Sequence, residues 1–502
     1  MTRSRRHRLC DLLGCVQVKE LLNPADAPIT SISDDSRQVS KGALFVAVPG
    51  SRTDGHLYIA DALERGAAAA VCERTPEPLP SCPVALVADS RRARSALADA
   101  FYGSPARELR IIGVTGTDGK TSTTEILRAI LNEAGCVAHS VGTLGYRTAA
   151  RWHETGLTTP CPIKLHGLFR RMADAGVEDC CMEVSSESLV QDRVRDVDFD
   201  AAVLTNITQD HLNTHGTREN YARAKRILFE QLEPRTIAAL PAGSEFLDPF
   251  RGATRAEVLT YGMGQVADVR ARILDLRMTG MELLVQTPLD GYTVRTGLIG
   301  SFNCLNILAA ATVAFGFGIR AAAVKEALRT FAGVPGRLEQ VSLAARDDLP
   351  AVVVDYAHTP AALEKVLGVL RPLVPGKLIC VVGCGGDRDT TKRPLMGRIA
   401  SEGADAVVFT ADNSRNEQTE DIIAQMLEGV GRARGACHVE PDRRQAIERA
   451  VRLAAGPDSM VAICGKGCEQ YLDLGDRRIP FDDRVVARQV LEQAPRTRRK
   501  SA

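Results

Sequence analysis

The stretch LRIIGVTGTDGKTSTTEIL, Leu109–Leu127, decides the fold because three kinds of local structure follow one another in it. The apolar run RIIGV predicts a buried strand. TGTDG predicts a tight turn, since Gly116 and Gly119 can adopt backbone angles closed to other residues. KTSTTEILRAIL then predicts a helix with hydroxyl side chains in its first turn. Strand, glycine-rich loop and helix in this order predict a phosphate-binding loop.

Such a loop surrounds an anion with backbone N–H groups and the amino end of a helix. Lys120 is expected to lie against the outer phosphates of a nucleotide, and Thr121 to bind Mg²⁺. The strict pattern GxxxxGK[ST] is not met, because Val114 stands where its first glycine would be. An ATP or GTP site is the prediction, and the alternative is a glycine-rich turn that binds nothing.

The bulk composition indicates an ordinary globular protein of about three domains. The chain has 502 residues, 45% hydrophobic and 25% charged, and its net charge of +1 makes no electrostatic case for nucleic acid. The 14 cysteines form no CxxC pair, which favours reduced thiols in the cytosol. The first residues are basic, and the short apolar stretch after them is broken by Asp11, which argues against a signal peptide. We find no apolar run long enough to span a membrane. A cytoplasmic protein that binds neither nucleic acid nor membrane is expected.

Apolar runs such as AAAAVC, RIIGVTG, AVVVDYA and KLICVVG alternate with amphipathic helical stretches almost throughout. This alternation predicts α/β layering with largely parallel sheets. Glycine- and proline-marked stretches near residues 104 and 338 predict domains at 1–103, 104–337 and 338–502. The stretch VRARILDLRMTGMELLVQTPLDGYTVRTGL predicts an antiparallel insert, because it alternates and carries turn signals.

Polar residues follow several apolar runs, where parallel strands tend to line a ligand crevice. Glu183 ends one run and is a candidate Mg²⁺ ligand, the alternative being a solvated carboxylate. Asp210, His211 and His215 follow another run. Lys225 lies in the helical stretch NYARAKRILFE and, on sequence grounds alone, reads as an exposed helix lysine.

The landmarks of the chain, from about Asp35 to Arg484, resemble those of the Mur ligase family in type and order. They are DSRQVSKGALFVAVPG, GVTGTDGKTSTT, TTP, EVSSESL, TQDHLNTHG, YARAK, IGSFNCLNILAA, VPGRLEQV, VDYAHTPAALE, GCGGDRDTTKRPLMG, DNSR, GKGCE and PFDDR. The resemblance implies an ATP-dependent amide ligase of peptidoglycan precursor synthesis, acting as a monomer on small molecules. It implies an α/β fold with an N-terminal UDP-sugar-binding domain, a central P-loop ATPase domain and a C-terminal Rossmann-like amino-acid-binding domain.

The implied reaction passes the γ-phosphate of ATP to the D-glutamate side-chain carboxylate of a UDP-muramoyl dipeptide, and an amine then attacks the acyl phosphate. The implied catalytic residues are Lys120, Glu183, His211 and Lys225, the last carbamylated. The implied ATP contacts are Gly116, Thr117, Asp118, Gly119, Lys120, Thr121, Ser122, Asn303 and Arg337. The implied Mg²⁺ ligands are Thr121, Glu183, His211 and Lys225. The implied dipeptide contacts are Ser36, Thr158, Thr159, Ser185 and Arg193. The implied amino-acid contacts are Arg388, Asp412, Asn413, Ser414, Arg415, Gly465 and Glu469.

The stretch DNSR bears on which amino acid is added. In the family, a motif that begins Asp-Asn-Pro and ends in Arg goes with meso-diaminopimelate, whose distal carboxylate a guanidinium can clamp with two hydrogen bonds. Arg415 is present here, and Ser414 replaces the proline. The resemblance therefore favours diaminopimelate over L-lysine, and the alternative reading of Arg415 is an arginine of a surface loop.

Five positions near the implied chemistry depart from the usual family residues. They are Asp118, Leu157, Glu187, Asn213 and Cys468. These departures leave open a paralogue that uses another amino acid or another acceptor, or a non-catalytic protein that binds a nucleotide sugar. The retained lysine and metal-ligand set ranks the ligase first.

Overall fold

The computed structural model describes residues 7–50, 53–147, 152–153, 155–208, 215–264, 266–341, 343, 346–431, 436–454 and 456–495. The chain divides into two compact units. Unit 1 comprises Met1–Arg270 and Asn306–Val324, and unit 2 comprises Ala271–Leu305 and Lys325–Ala502. Each unit contains hydrophobic core clusters of its own.

Unit 1 holds the first fifteen strands and first eight helices of the described residues. The strands are β1 (His7–Arg8), β2 (Val18–Leu22), β3 (Pro28–Ile29), β4 (Ser31–Ser33), β5 (Ala43–Val46), β6 (Ala67–Cys72), β7 (Val84–Val87), β8 (Arg110–Thr115), β9 (Ala138–Gly142), β10 (Gly145–Arg147), β11 (Trp152–His153), β12 (Asp179–Glu183), β13 (Ala201–Leu204), β14 (Ile237–Pro241) and β15 (Glu257–Met263). The helices are α1 (Leu9–Leu13), α2 (Ile59–Glu64), α3 (Ser90–Tyr102), α4 (Lys120–Glu133), α5 (Pro162–Asp174), α6 (Ser186–Val190), α7 (Arg218–Glu230) and α8 (Leu247–Arg251).

Three elements contain the positions at which the two units divide along the chain: β16 (Val269–Arg277), α9 (Phe302–Gly316) and α10 (Ala321–Thr330). The remaining elements belong to unit 2. Its strands are β17 (Gly280–Gln286), β18 (Gly291–Thr296), β19 (Glu339–Val341), β20 (Ala351–Asp355), β21 (Leu378–Val382), β22 (Ala406–Phe409), β23 (Ala436–Val439), β24 (Met460–Cys464), β25 (Tyr471–Asp473) and β26 (Arg478–Pro480). Its helices are α11 (Pro360–Leu370), α12 (Lys392–Gly403), α13 (Thr419–Leu427), α14 (Arg443–Ala454) and α15 (Asp483–Gln493).

A five-stranded sheet in the order β2-β7-β6-β5-β4 forms the N-terminal part of unit 1. Its strands are parallel except for the β2–β7 pair. Along β5, Leu44 and Val46 belong to the core cluster that contains α1 and α3 residues, whereas Phe45 belongs to the one that contains α2 residues. This alternation follows from the two-residue period of a strand and buries both faces of the sheet.

A second sheet places the phosphate-binding loop at its centre. Strands β9, β12, β8, β13, β14 and β15 are parallel neighbours in this order, and β10 and β11 continue antiparallel beyond β9. Strand β8 therefore lies between β12 and β13. Because parallel strands end at the same edge, the loops that follow these three strands meet there.

Unit 2 is built on a six-stranded sheet in the order β19-β20-β24-β21-β22-β23, parallel except for β19. One core cluster joins it to α11, α12 and α13, and another joins it to α14 and α15. Strands β17 and β18 pair antiparallel, as predicted for this part of the insert. Helices on both faces of a parallel sheet are the arrangement that the alternating sequence predicted.

The predicted α/β class is confirmed. The predicted divisions near residues 104 and 338 stay predictions of domain boundaries. Among the helices of the described residues, not one combines the length and the apolar character needed to cross a membrane.

Candidate functional site

The loop between β8 and α4 has the predicted glycine conformations. Gly116 and Gly119 have φ values of 147° and 81°, in the region that favours glycine. A Cβ at Gly116 would clash with the Thr205 hydroxyl, and one at Gly119 with the Asn306 side-chain oxygen. Both positions therefore need glycine for conformation and for space.

Residues that follow β13 hold this loop through its backbone. Asn206 Oδ1 accepts the Asp118 N–H at 3.0 Å, and the Thr205 hydroxyl donates to the Asp118 carbonyl at 2.6 Å. The Thr117 N–H donates to the Asn206 carbonyl at 2.9 Å. Asp118 is an exposed residue, and these three bonds use backbone groups of the loop. Thr205 and Asn206 were not predicted, although their place directly after an apolar run was a usable signal.

Two lysine ammonium groups meet at one carbonyl of the loop. Lys120 Nζ donates to the carbonyls of Gly116 at 3.0 Å and Thr117 at 2.8 Å. Lys225 Nζ donates to the same Gly116 carbonyl at 2.8 Å and lies 4.2 Å from the centroid of the Tyr221 ring. Lys225 is only 1% exposed, so its reading as an exposed helix lysine is wrong. Its burial brings a second cation to the anion-binding loop.

Glu183 is buried at the end of β12 and accepts three hydrogen bonds. Its Oε1 accepts the Thr121 hydroxyl at 3.0 Å and the Thr143 N–H at 2.8 Å, and its Oε2 accepts the Thr143 hydroxyl at 3.1 Å. The side chain crosses Gly142, where any Cβ would clash with it. The alternative of a solvated carboxylate is therefore wrong. Thr143 was not predicted, and its only sequence signal is its place after β9.

Four of the residues predicted to bind the dipeptide form a network beside Glu183. The Thr159 hydroxyl donates to the Glu183 carbonyl at 2.9 Å and accepts the Ser185 N–H at 3.1 Å. Arg193 Nη1 donates to the Thr159 carbonyl at 3.0 Å. The Thr158 hydroxyl lies 3.1 Å from the Thr143 hydroxyl. These contacts bring the predicted substrate residues next to the predicted metal ligand.

Ser36, the fifth predicted dipeptide contact, lies in the N-terminal part of unit 1. It is buried in the 3₁₀ turn Ser36–Gln38. A hydrogen bond from Ser36 lowers the pKa of the Asp61 carboxyl. Its role toward a nucleotide stays a prediction.

In unit 2, the loops after β22 and β24 bring four predicted amino-acid residues together. Asn413 Nδ2 donates to Glu469 Oε2 at 2.8 Å. Gly465 has φ 114°, and a Cβ on it would lie 2.8 Å from Asp412 Oδ2. Lys466 Nζ donates to Asn413 Oδ1 at 3.1 Å and to Glu469 Oε2 at 3.0 Å. The cluster thus combines two carboxylates, an amide and a buried ammonium.

Arg415 lies at the edge of this cluster and is half-buried. Its φ is 50°, its N–H donates to the Asp473 carbonyl at 3.0 Å, and its Nη1 donates to the Gly386 carbonyl at 2.6 Å. The loop therefore fixes the side chain, unlike an arginine that projects freely from a surface. Arg388 is exposed in the loop after β21, and Ser414 is buried.

Three family models match successive stretches of the chain. Residues 28–102 match the Mur ligase family catalytic domain, residues 114–314 the Mur ligase middle domain, and residues 336–467 the Mur ligase glutamate ligase domain. The chain belongs to the Mur ligase family. The resemblance read from the motifs and the predicted architecture are thereby confirmed, and this Mur ligase is an ATP-dependent, ADP-forming ligase of peptidoglycan precursor synthesis.

Three relatives illustrate the range of similarity. The UDP-N-acetylmuramoyl-L-alanyl-D-glutamate–2,6-diaminopimelate ligase of Geobacillus thermodenitrificans (strain NG80-2) is 42% identical over 472 residues, which are 93% of this chain and 95% of the relative. A solved structure of a ligase of the same name is 32% identical, covers 93% of this chain and 95% of its own, and has a TM-score of 0.69. The structure of the MurF ligase of Thermotoga maritima in complex with ADP is 22% identical in sequence and covers 92% of this chain and 98% of its own. Its TM-score of 0.60 shows the common fold.

The donor set of this Mur ligase fits Mg²⁺ where it is described. Thr121 offers a hydroxyl and Glu183 a carboxylate, and hard oxygen donors of these kinds suit Mg²⁺. His211, predicted as a further ligand, lies outside the described residues, as do Asp210 and Asn213. The predicted second metal site is therefore represented only by Lys225.

The residues that depart from the family pattern differ in their exposure and in their contacts. Glu187 Oε1 accepts the Gln191 side-chain amide at 2.8 Å and lies 3.7 Å from Arg193 Nη2, so it interacts with a predicted dipeptide residue. Leu157 is 50% exposed. Burial raises the pKa of the Cys468 thiol above its ordinary value. Cys468 is thus a partly buried thiol.

Asn303 and Arg337, predicted as ATP contacts, belong to unit 2. Asn303 is buried and donates its side-chain amide to the Ile299 carbonyl at 2.8 Å. The Arg337 guanidinium lies 5.3 Å from the centroid of the Tyr356 ring. Their contact with a nucleotide stays a prediction, as does that of Ser122.

Proposed function

We propose that this Mur ligase joins meso-2,6-diaminopimelate to UDP-N-acetylmuramoyl-L-alanyl-D-glutamate. The observation that carries the choice of amino acid is the unit 2 cluster. In this cluster, the Gly386 carbonyl holds the Arg415 guanidinium. The side chains of Asn413 and Lys466 hold the Glu469 carboxylate. A guanidinium and a carboxylate complement a carboxylate and an ammonium at the far end of diaminopimelate. The name of the 42% identical relative supports this choice.

In the proposed reaction, the loop from Gly116 to Ser122 binds the phosphates of ATP through its N–H groups and the amino end of α4. The D-glutamate side-chain carboxylate takes the γ-phosphoryl group of ATP, so that an acyl phosphate forms and ADP is the leaving group. The free amine of diaminopimelate attacks the carbonyl carbon, and the intermediate collapses to an amide and inorganic phosphate. Thr158, Thr159, Ser185 and Arg193 position the dipeptide beside this loop.

Lys120 and Lys225 have distinct proposed roles. Lys120 exchanges its bonds to the Gly116 and Thr117 carbonyls for phosphate oxygens, and its charge stabilises the negative charge of the transition state. The Lys225 ammonium first loses a proton, the free amine then attacks carbon dioxide, and loss of a second proton leaves a carbamate that can bind metal together with His211. Mg²⁺ bound by Thr121 and Glu183 would neutralise part of the triphosphate charge.

Glu183 is held in a single orientation by Thr121 and Thr143. Its carboxylate therefore reaches the bound state without losing side-chain freedom, which is a favourable arrangement for a metal ligand. As part of the same proposal, the protein works as a monomer in the cytoplasm and takes ATP, the UDP-sugar dipeptide and the amino acid as small-molecule substrates.

The test is phosphate release by the purified protein with Mg-ATP and the UDP-muramoyl dipeptide, with meso-diaminopimelate, with L-lysine or with neither. Release that requires diaminopimelate, together with the mass of the tripeptide product, is the expected result. Release that requires L-lysine would correct the amino acid and leave the ligation standing. The absence of phosphate release with either amino acid would contradict the proposal and would favour another acceptor or a binding role.

A further inference from the structure

Lys466 is a fully buried ammonium at the centre of the unit 2 cluster, with 0% of its side chain exposed. It lies between the two conformationally unusual glycines Gly465 and Gly467, whose φ values are 114° and 52°. Its Nζ lies 3.0 Å from Glu469 Oε2 and 3.9 Å from Asp412 Oδ1. Because burying a charge is costly unless it is paired, a lysine here needs both carboxylates.

The hydrogen bonds around Glu469 are unequally divided between its two oxygens. Lys466 Nζ donates to Oε2 at 3.0 Å, and Asn413 Nδ2 donates to the same Oε2 at 2.8 Å. Lys466 also donates to Asn413 Oδ1 at 3.1 Å, which orients the amide so that its N–H₂ faces Glu469. Both donors thus select one oxygen, and Oε1 takes part in neither bond.

The charges of this group also favour a cationic ligand at Glu469. Asp412 and Glu469 contribute two negative charges and Lys466 one positive charge, so the three side chains carry one excess negative charge. The Glu469 side chain keeps 23% of its surface exposed, whereas Lys466 has none. Of the two carboxylates, Glu469 is therefore the one more accessible to a cationic group.

We propose that Lys466 is a positioning residue that presents Oε1 of Glu469 to the non-reacting ammonium of the incoming amino acid. Lys466 does so by occupying Oε2 together with Asn413 and by cancelling one of the two negative charges. The inference rests on the proposed function, since it concerns the amino-acid site of the same ligase. It adds to that function a residue that makes no contact with substrate.

The experiment compares two substrates in the full-length enzyme. Meso-diaminopimelate has an ammonium at its far end, and 2-aminopimelate lacks it but keeps both carboxylates. In K466M, which has a similar length and no charge, we expect the KM for diaminopimelate to rise about tenfold or more, as for loss of a hydrogen bond to a charged group. The KM values for 2-aminopimelate and ATP are expected to stay within about threefold of wild type. The matched control is K365M, because Lys365 is exposed on α11.

A role limited to folding would not separate the two substrates, so the ratio of their KM values is the deciding readout. A folded K466M that raises both KM values equally, or neither, would overturn the proposal. The same ratio is measured in E469Q, and K466M is expected to add less than about twofold in that background because the two residues act as one unit. If K466M fails to fold, K466Q takes its place in the same comparison, because it removes the charge and keeps a polar side chain at this buried position: equal effects on the two substrates contradict the proposal, and an effect confined to diaminopimelate supports it.

The wild-type enzyme separates this inference from the proposed function. If it turns over neither diaminopimelate nor L-lysine, the proposed function fails and this inference fails with it. If it turns over diaminopimelate and the variants do not discriminate, only the role of Lys466 is wrong. If it prefers L-lysine, the same comparison is made with L-lysine and 2-aminohexanoate, which lacks the far ammonium.

Discussion

The hydroxyl of Thr121 donates a 3.0 Å hydrogen bond to Glu183 Oε1, although 62 positions separate the two residues in the chain. The contact exists because β8 and β12 are neighbouring parallel strands, with Val114 aligned to Glu183. The first helical turn after β8 therefore lies beside the last residue of β12. This relationship turns two separate sequence signals into one candidate site for ATP and Mg²⁺.

Replacing Glu183 tests that site. E183Q keeps the size of the side chain and removes its charge, so we expect turnover to fall about 100-fold or more through lost stabilisation of charge. The half-maximal Mg²⁺ concentration for turnover should also rise. The control is E178Q, because Glu178 is exposed next to the opposite end of β12. Wild-type turnover and Mg²⁺ dependence in E183Q would contradict the assignment.

Lys225 is the second test, because its burial agrees with a role that the sequence alone did not indicate. K225A is expected to lose activity about 100-fold or more, and added formate is expected to restore part of it by supplying the carboxylate of a carbamate. The exposed Lys325 provides the control variant K325A, which should keep full activity. If formate restores nothing while the variant is folded, the carbamate role is wrong.

The two ends of α4 offer a matched pair of glycines. Gly119 and Gly135 have φ values of 81° and 94°, but only at Gly119 would a Cβ meet another residue, Asn306. G135A should lower the free energy of unfolding by roughly 1–2 kcal/mol and leave the KM for ATP unchanged. G119A should lower the free energy of unfolding by more than G135A does, and it should raise the KM for ATP about tenfold or more. Equal effects of the two variants on the KM for ATP would show that space at Gly119 does not matter.

Arg415 tests the choice of amino acid. R415A removes the proposed contact to the far carboxylate, so the KM for diaminopimelate should rise about tenfold or more while the KM for ATP stays unchanged. R415K is expected to restore little of the affinity for diaminopimelate, because an ammonium cannot make the bidentate contact that a guanidinium makes with a carboxylate. The exposed Arg398 on α12 provides the control R398A. An unchanged KM for diaminopimelate in folded R415A would remove the main support for this substrate.

The pair of Arg393 and Glu417 predicts a dependence of stability on pH. Arg393 is fully buried and donates to both oxygens of Glu417 at 2.8 and 2.9 Å, and this contact, together with the hydrogen bond from the Asp387 N–H, lowers the pKa of Glu417 from 4.5 to about 2. Because the pKa is lower in the folded state, the pair stabilises fully above about pH 4.5 and loses its effect as the pH falls toward 2.

The measurement is the urea midpoint of unfolding for wild type and E417Q between about pH 7 and about pH 3. The difference between the two proteins should be largest near neutral pH and shrink below about pH 4.5. E420Q, at an exposed position on α13, is the control and should show no such trend. A difference that stays constant over this range would contradict the lowered pKa.

Local patterns predicted the parts of the site that are local. The glycine-rich turn, the following helix and the strand that ends at Glu183 could all be read from runs of residues. The contacts of Thr143, Thr205, Asn206 and Lys466 could not be read in this way, because they depend on partners brought in by other strands, although a place after an apolar run was a signal for some of these residues. The burial of Lys225 was missed for the same reason, since its helix pattern is compatible with exposure.

The sequence by itself determined the α/β class, the phosphate-binding loop and the membership in the Mur ligase family, because these rest on periodicity and on motifs within short stretches. Only the tertiary structure decided that Lys225 reaches the Gly116 carbonyl over 109 positions and that three donors fix Glu183. It also decided that Lys466 and Asn413 share one oxygen of Glu469. The physical reason is that the order of parallel strands sets which loops meet at a sheet edge, and this order depends on contacts between distant parts of the chain.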